Sequence, residues 1–322
     1  MKTAGHLTLT LIALTTMMLS TSCRHKYLYM EEDMTSRLEV VFDWRNAPEA
    51  NPSSMAMYLY DSEGRQPLRY IFDNRYGGEI KAPLGTHHAI CMNADNTYWV
   101  RMRNNEKIET MEIYTPDASS LGGQSLAPET LPRAEGSDGE RMAETPGMLW
   151  GSRENNIEIV PHEGTQKIIL YPSEAICYYT VDVLDVENLE GVASSTIDAT
   201  ISGMAEGYSF GAEAATEVPV TMNFSLRTVA DSDTSLHGEF LTFGECTGRT
   251  EKHYLTVYLV LSDGSRWWHS FDVSEQVADA PDPKHVHIVV RGLPLPEPPS
   301  EGGTQIAPYV NEWQPVEINL KM

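Results

Sequence analysis

His285 and His287, two residues apart in KHVHIVV, are the most orderly candidate metal ligands in the chain. On a strand they share one face, as ligand pairs do, but zinc requires three or four donors and the spacing places no third. The alternation of Val286, Ile288 and Val290 assigns the other face to a core and the histidines to solvent, so no metal site is assigned. Serine, histidine and aspartate are scattered along the chain, and loose residues of these types are too common to assign a nucleophile. Glu158, Asp182 and Asp185 could in principle flank a glycosidic bond, but each sits in plain strand alternation, where a carboxylate ordinarily faces water. The glycines of GGEIKAPLG and SEGGT lack the lysine and helix start of a phosphate loop and suit turns and bulges. DSDTS lacks the ordered ligand spacing of a calcium loop. No catalytic residue and no cofactor is assigned, and the chain is read as a non-enzyme.

The aromatic residues are better placed to do chemistry, of a binding kind. In SRWWHSFDV, Trp267, His269, Phe271 and Val273 share one strand face, whereas Trp268 falls with Arg266, Ser270 and Asp272. Trp99 shares a face with Arg101 and Arg103, opposite Val100. A tryptophan on a polar face can stack on a sugar ring or dock a partner strand, so Trp268 and Trp99 are the candidate partner or glycan contacts. The competing reading is that a long loop covers them, since tryptophan is highly buried on average.

The elements that must position these residues have the strand period. In RLEVVFDW, Leu38, Val40, Phe42 and Trp44 share a face, and MAMYLYDSEG groups Met55, Met57 and Leu59 before the turn residues Asp61 to Gly64. GGEIKAPLG is interrupted by Pro83, which predicts an edge strand or a bulge. YWVRMRN, KIETMEIYT, NIEIV and TQKIILYP are further short strands. Residues 115–147, rich in Pro, Gly, Ser, Ala and acids, have no period and are expected to form a long flexible insertion. The second half alternates more cleanly: Tyr179, Val181 and Val183 in one strand, Met222, Phe224 and Leu226 in another. HYLTVYLVLSDGSRWWHSFDV predicts a hairpin closed by Asp263-Gly264 in a type I′ turn. A short helix is expected at most around Asn188 to Ala199, and PLPEPPSEGGT is a solvated loop. Many short strands without alternating helices predict an all-β chain of two packed antiparallel sandwiches, residues 36–171 and 172–322.

The chain begins with Lys2, an uncharged, mostly apolar run from Leu7 to Leu19, and then Ser20, Thr21 and Ser22. This is the order of a secretory signal, 1–22, too short to be a comfortable membrane span. Cys23, directly behind the small residues, resembles the lipobox of bacterial lipoproteins, with Leu19 one place further out than the favoured aliphatic position. The resemblance implies a lipid on Cys23 and a lipidated linker over 23–35; the other reading is an ordinary signal with a chance cysteine. With 23 Lys plus Arg against 46 Asp plus Glu, the net charge of −23 repels phosphate backbones and excludes nucleic acid as a partner. Once Cys23 is acylated, Cys91, Cys177 and Cys246 allow at most one disulfide, or three buried thiols.

RLEVVFDWRNAPEANPSSMAMYLYDSEG and NRYGGEIKAPLGTHHAICMNADN resemble the N-terminal half of a set of Bacteroidales lipoproteins described as a domain of unknown function. ISGMAEGYSFG, LHGEFLTFG, LTVYLVLSDGS, FDVSEQV and NEWQPVEINL resemble fimbrillin-like and fimbrial-anchor proteins of the same bacteria. The resemblance implies two tandem transthyretin-like β-sandwich domains, no catalytic activity, a lipid-anchored place in the outer membrane, and fimbrillin-like pilus subunits as partners held by strand complementation. Acids that often follow the cysteine in surface-exported lipoproteins come late here, at Glu31, Glu32 and Asp33 behind Arg24, His25 and Lys26, so both a surface-exposed and a periplasm-facing orientation stay open. The expected role is a fimbrial anchor or accessory subunit; the alternative is a lipid-anchored glycan- or protein-binding module unrelated to pili.

Overall fold

The structure is a computed structural model describing residues 34–96, 98–121, 126–194, 196–230, 232–246, 252–297 and 312–316. Cys23, the signal and most of the linker lie outside the described residues, as do most of PLPEPPSEGGT and the end of the terminal strand candidate. The described chain is all-β. Its first half contains β1 (Thr35–Phe42), β2 (Met55–Tyr60), β3 (Leu68–Phe72), β4 (Gly77–Pro83) and β5 (Gly85–Asn93). The short β6 (Arg101–Arg103), β7 (Glu112–Tyr114) and β8 (Arg141–Ala143) follow, then β9 (Trp150–Ile159) and β10 (Gln166–Leu170). Beyond them come β11 (Ser173–Glu174), β12 (Cys177–Glu187), β13 (Thr196–Ala205), β14 (Gly207–Ser209) and β15 (Ala214–Ala215). The chain continues through β16 (Pro219–Thr228), β17 (Leu236–Thr242), β18 (Tyr254–Val260) and β19 (Arg266–Asp272), with one short helix, α1 (Ser274–Ala278). β20 (His285–Pro294) and β21 (Trp313–Pro315) end it.

A three-stranded sheet, β10-β1-β4, packs on a five-stranded one, β11-β9-β5-β2-β3. Between them Leu38, Val40 and Phe42 meet Met55, Met57 and Leu59, the faces the alternation assigns to a core. The other face of β2 is buried too: Ala56, Tyr58 and Tyr60 join the larger core of the second half. A strand covered on both faces carries apolar residues at successive positions, which explains the unbroken run MAMYLY. β4 pairs only with β1 and ends on Pro83, an edge strand as the proline requires.

The second half is one long sheet, β20-β12-β17-β16-β13-β18-β19-β21. Its bend lies between β16 and β17, which pair only at Arg227↔His237 and Thr228↔Leu236 before parting. Tyr179, Val181 and Val183 on one side of the bend share a core with Ile197, Ala199 and Ile201 on the other, and the Phe224 and Phe240 rings stack across it at 4.3 Å.

Several expectations are corrected. The sheets are mixed: β1–β10, β12–β20, β16–β8 and β19–β21 pair in parallel. Alternation records which face a side chain takes and is silent on strand direction. The β18–β19 hairpin forms, but only Gly264 of its turn has positive φ, at 82°. Gly264 N donates to Leu261 O at 2.9 Å, a type I turn with the glycine in the bulge position, not type I′. Residues 189–191 form one 3-10 turn, and the α-helix lies instead in SEQVA. The insertion, 115–147, is seated on the second half: β8 pairs with β16, and Leu121, Leu126, Leu131 and Met142 cluster on Tyr258. Its leucines are too widely spaced to show a period, yet each finds the same apolar face.

The two halves also exchange strands. β14 of the second half pairs with β7 of the first, forming the ribbon β15-β14-β7-β6.

Candidate functional site

Trp268 and Trp99 have different surroundings. Trp268 is half-buried, packed with Val260 and Trp313 against the leucines of the insertion. The covering-loop reading therefore describes it, and it is no open platform. The strand that covers the edge here is β21, paired in parallel with β19 over Arg266↔Trp313, Trp267↔Gln314 and Trp268↔Pro315. Val316 N donates to Trp268 O at 2.9 Å, and Val316 O lies 3.1 Å from His269 Nδ1. Burial disfavours the imidazolium of His269 and lowers its pKa, although the carbonyl of Val316 acts the other way. Trp313 meets Tyr258 edge-on at 5.5 Å, and its buried Nε1 finds no hydrogen-bond partner among the described residues. Among the described residues three of β21 pair along this edge, the last of them a proline without an N–H.

Trp99 stands in the open. It lies in the turn before β6, 46% exposed, beside Tyr98 at 76%. The two rings meet edge-to-face, centroids 4.9 Å apart at 84°. The turn is pinned: Trp99 N donates to Asn96 O at 2.9 Å, and the buried Asn96 donates through Nδ2 to Met148 O at 3.3 Å. Gly147 packs against the indole so closely that a Cβ there would lie 2.8 Å from its Cδ1. This pair forms one wall of a cleft of about 800 Å³ at the place where β16 and β17 part. Ser225 and Glu239 lie on the opposite side, and Asp117, Ser120 and Glu144 of the seated insertion complete the rim. Arg101 also lines it, but its Nη1 donates to the carbonyls of Tyr98 and Val100 at 3.2 and 3.1 Å.

A charge network holds these walls together. Glu206, between β13 and β14 with its side chain only 6% exposed, is paired with Arg103 of β6 and, at 3.2 Å, with Arg141 of β8. Arg103 also donates to Glu112 at 2.6 Å, and Arg141 to Asp117 at 3.0 Å and Thr115 O at 2.7 Å. Desolvation alone would lower the pKa of Arg103, but its bonds to Glu112 and Glu206 raise it on balance. One carboxylate thus joins the first half, the insertion and the second half.

His285 and His287 face solvent as expected, and the pairing of three strands gives His287 a partner that its spacing does not reveal. Asp182 of β12 receives His237 of β17 on Oδ1 and His287 of β20 on Oδ2, both at 2.7 Å. Partial burial opposes the Asp182 carboxylate, but the two histidines outweigh it and lower its pKa; Asp182 in turn raises that of His237. No group of three His, Cys, Asp or Glu among the described residues is arranged to hold a metal. His285 stacks on Tyr178 at 5.2 Å. Cys91, Cys177 and Cys246 are buried thiols outside any disulfide among the described residues, and burial pushes Cys91 up to about 11. No helix among the described residues is long and apolar enough to cross a membrane.

The sequence singled out Trp99 but missed the cleft around it. Tyr98 was within reach, as an aromatic beside a candidate. Glu239, Ser225 and Glu144 carry no local signal, because only the parting of β16 from β17 and the seating of the insertion bring them to Trp99.

Comparison with known proteins agrees with this architecture. A Bacteroides ovatus protein, Fim4B, whose name gives it as a candidate fimbrium anchoring subunit, is 25% identical over 203 residues, 62% of this chain and 55% of that protein. The chain thus spans about half the length of the curated relative it matches. The crystal structure of a candidate adhesin from Bacteroides ovatus superposes with a TM-score of 0.63 at 20% identity, covering 87% of this chain and 99% of that one, so the two share a fold. The fimbrial anchor protein Mfa2 of Porphyromonas gingivalis gives 0.48 at 13% identity, over 80% and 90% of the two chains. The family model for a domain of unknown function, DUF5119, matches residues 22–225, crossing the expected boundary at 171 and reaching into β16. With nearly two thirds of its length in that match, the chain belongs to the DUF5119 family.

Proposed function

We propose that this protein is a fimbrial anchor or accessory subunit, held at the outer membrane by lipid on Cys23 and joined to a fimbrillin-like subunit by strand addition at β19. The observation that carries the reading is the outer edge of β19, which meets only the short parallel strand β21 among the described residues. β19 offers seven residues, Arg266–Asp272, and the described part of β21 pairs with three of them. A partner strand that displaces β21 would pair along the whole of β19, gaining backbone hydrogen bonds in the manner of β-strand addition. The match to Fim4B supports the fimbrial setting. The basic and small residues around Cys23 support the anchor, and a multiply acylated cysteine provides the chains that stable attachment needs.

The test is crosslinking and mass spectrometry on native membranes, comparing wild type, Cys23→Ala, and a variant with cysteines at Arg266 and Trp313 that staples β21 to β19. Co-recovery of a fimbrillin-like subunit, lost on stapling and restored by reductant, supports strand addition. Its recovery with the stapled form intact refutes the β19 edge as the joint, and membrane retention of Cys23→Ala refutes the lipid anchor.

A further inference from the structure

We propose that the cleft between Trp99 and β16–β17 is a binding site for neutral oligosaccharides. This is an activity separate from anchoring, and it does not depend on β19. Exposed aromatic faces in a concave site are what the apolar face of a pyranose ring requires, and Tyr98 and Trp99 supply two rings set as a corner. They are pre-organised: the bonds of Asn96 fix the turn and Gly147 seats the indole, so little ordering remains for the ligand to impose. At about 800 Å³ the cleft lies within the range of small-ligand sites and has room for two or three sugar units.

The rim decides the class of sugar. Glu144, Asp117 and Glu239 are acceptors for hydroxyl groups, and Ser120 and Ser225 can donate or accept. Three carboxylates are offset only by Arg101, one nitrogen of which is turned onto backbone carbonyls, and by Arg141, which is paired with Asp117 at 3.0 Å, so the rim stays net negative. Within a Debye length of ~8 Å this field repels uronic, sialic and sulfated glycans. The chain's net charge of −23 adds to the repulsion at longer range. A polyanion or a nucleic acid is excluded for the same reason. An extended peptide could reach the cleft, but it would be held chiefly by strand edges and would depend little on the rings.

The experiment uses the full chain against a printed panel of neutral, amino-sugar and uronic-acid oligosaccharides, followed by calorimetry with the strongest neutral trisaccharide. The expected result is binding within the neutral set, weakened about 10-fold or more by Trp99→Ala, a loss of ~1.4 kcal/mol. Tyr98→Ala should weaken it several-fold, and a trigalacturonate should not bind wild type. Both aromatics are exposed, so these variants fold, which thermal melting checks. Binding of no neutral glycan, affinity unchanged in Trp99→Ala, or equal affinity for trigalacturonate would each overturn the proposal.

Discussion

Replacing Glu206 by alanine removes the carboxylate on which Arg103 and Arg141 converge, and the cost can be bounded from the structure. Deleting one partner of a buried ion pair generally costs ~3–5 kcal/mol, because the remaining charge is left buried without compensation. Glu206 is buried, but the Arg103 and Arg141 side chains are 33% and 29% exposed. Arg103 keeps Glu112 at 2.6 Å, and Arg141 keeps Asp117 at 3.0 Å. Water and these second carboxylates lower the expected loss to about 2–3 kcal/mol. Glu206→Gln preserves volume and one acceptor and should cost less, about 1–2 kcal/mol. Urea denaturation followed by tryptophan fluorescence reads both. The pair Arg103→Met with Glu206→Leu should cost less than the sum of its single changes, since it removes together two charges that each single change leaves facing no partner. Hydrogen exchange should place the opening at β6, β7 and β14, the ribbon that the network spans. A Glu206→Ala change of under ~0.5 kcal/mol, typical of a surface site, would refute the view that this carboxylate joins the halves.

Four further outcomes follow from the same packing. Asp182→Asn should flatten the pH dependence of stability: the raised His237 contributes stability present below its unfolded pKa and lost as pH rises through its folded one. The lowered Asp182 contributes stability present above its unfolded pKa and lost as pH falls through its folded one, so wild type should gain most between about pH 4 and 6.5, measured by melting across that range. Gly264→Ala meets no atom within 4 Å and should cost only the strain of positive φ, about 1 kcal/mol. Gly207→Ala, whose Cβ would fall on the Ile113 carbonyl, should cost about 3 kcal/mol or more, both read by denaturant midpoints. Cys91, Cys177 and Cys246 should resist maleimide in the folded protein and all react in urea without prior reduction, since each is a buried thiol outside any disulfide among the described residues.

The sequence by itself determines the class of the fold and much of its cores. Alternation at Leu38, Val40 and Phe42, or Tyr179, Val181 and Val183, reports which side chains leave water, because burial on one face of a strand requires period two. Pro83 marks an edge, and His285 and His287 face solvent, for equally local reasons. Trp99 is a candidate contact on its polar neighbours alone. The tertiary structure decided the rest. Strand direction, the bend between β16 and β17, and the seating of residues 115–147 all depend on contacts between distant segments that no local period encodes. That is why Trp268 and Trp99, alike in sequence, part company: one lies under the leucines of the insertion, the other at the mouth of a cleft that the insertion helps to build. Asp182, read as a solvated carboxylate, became the bridge between two histidines only when β20, β12 and β17 were laid side by side. Hydrophobic patterning fixes what is inside, whereas a site is made by the long-range pairing that decides which outsides meet.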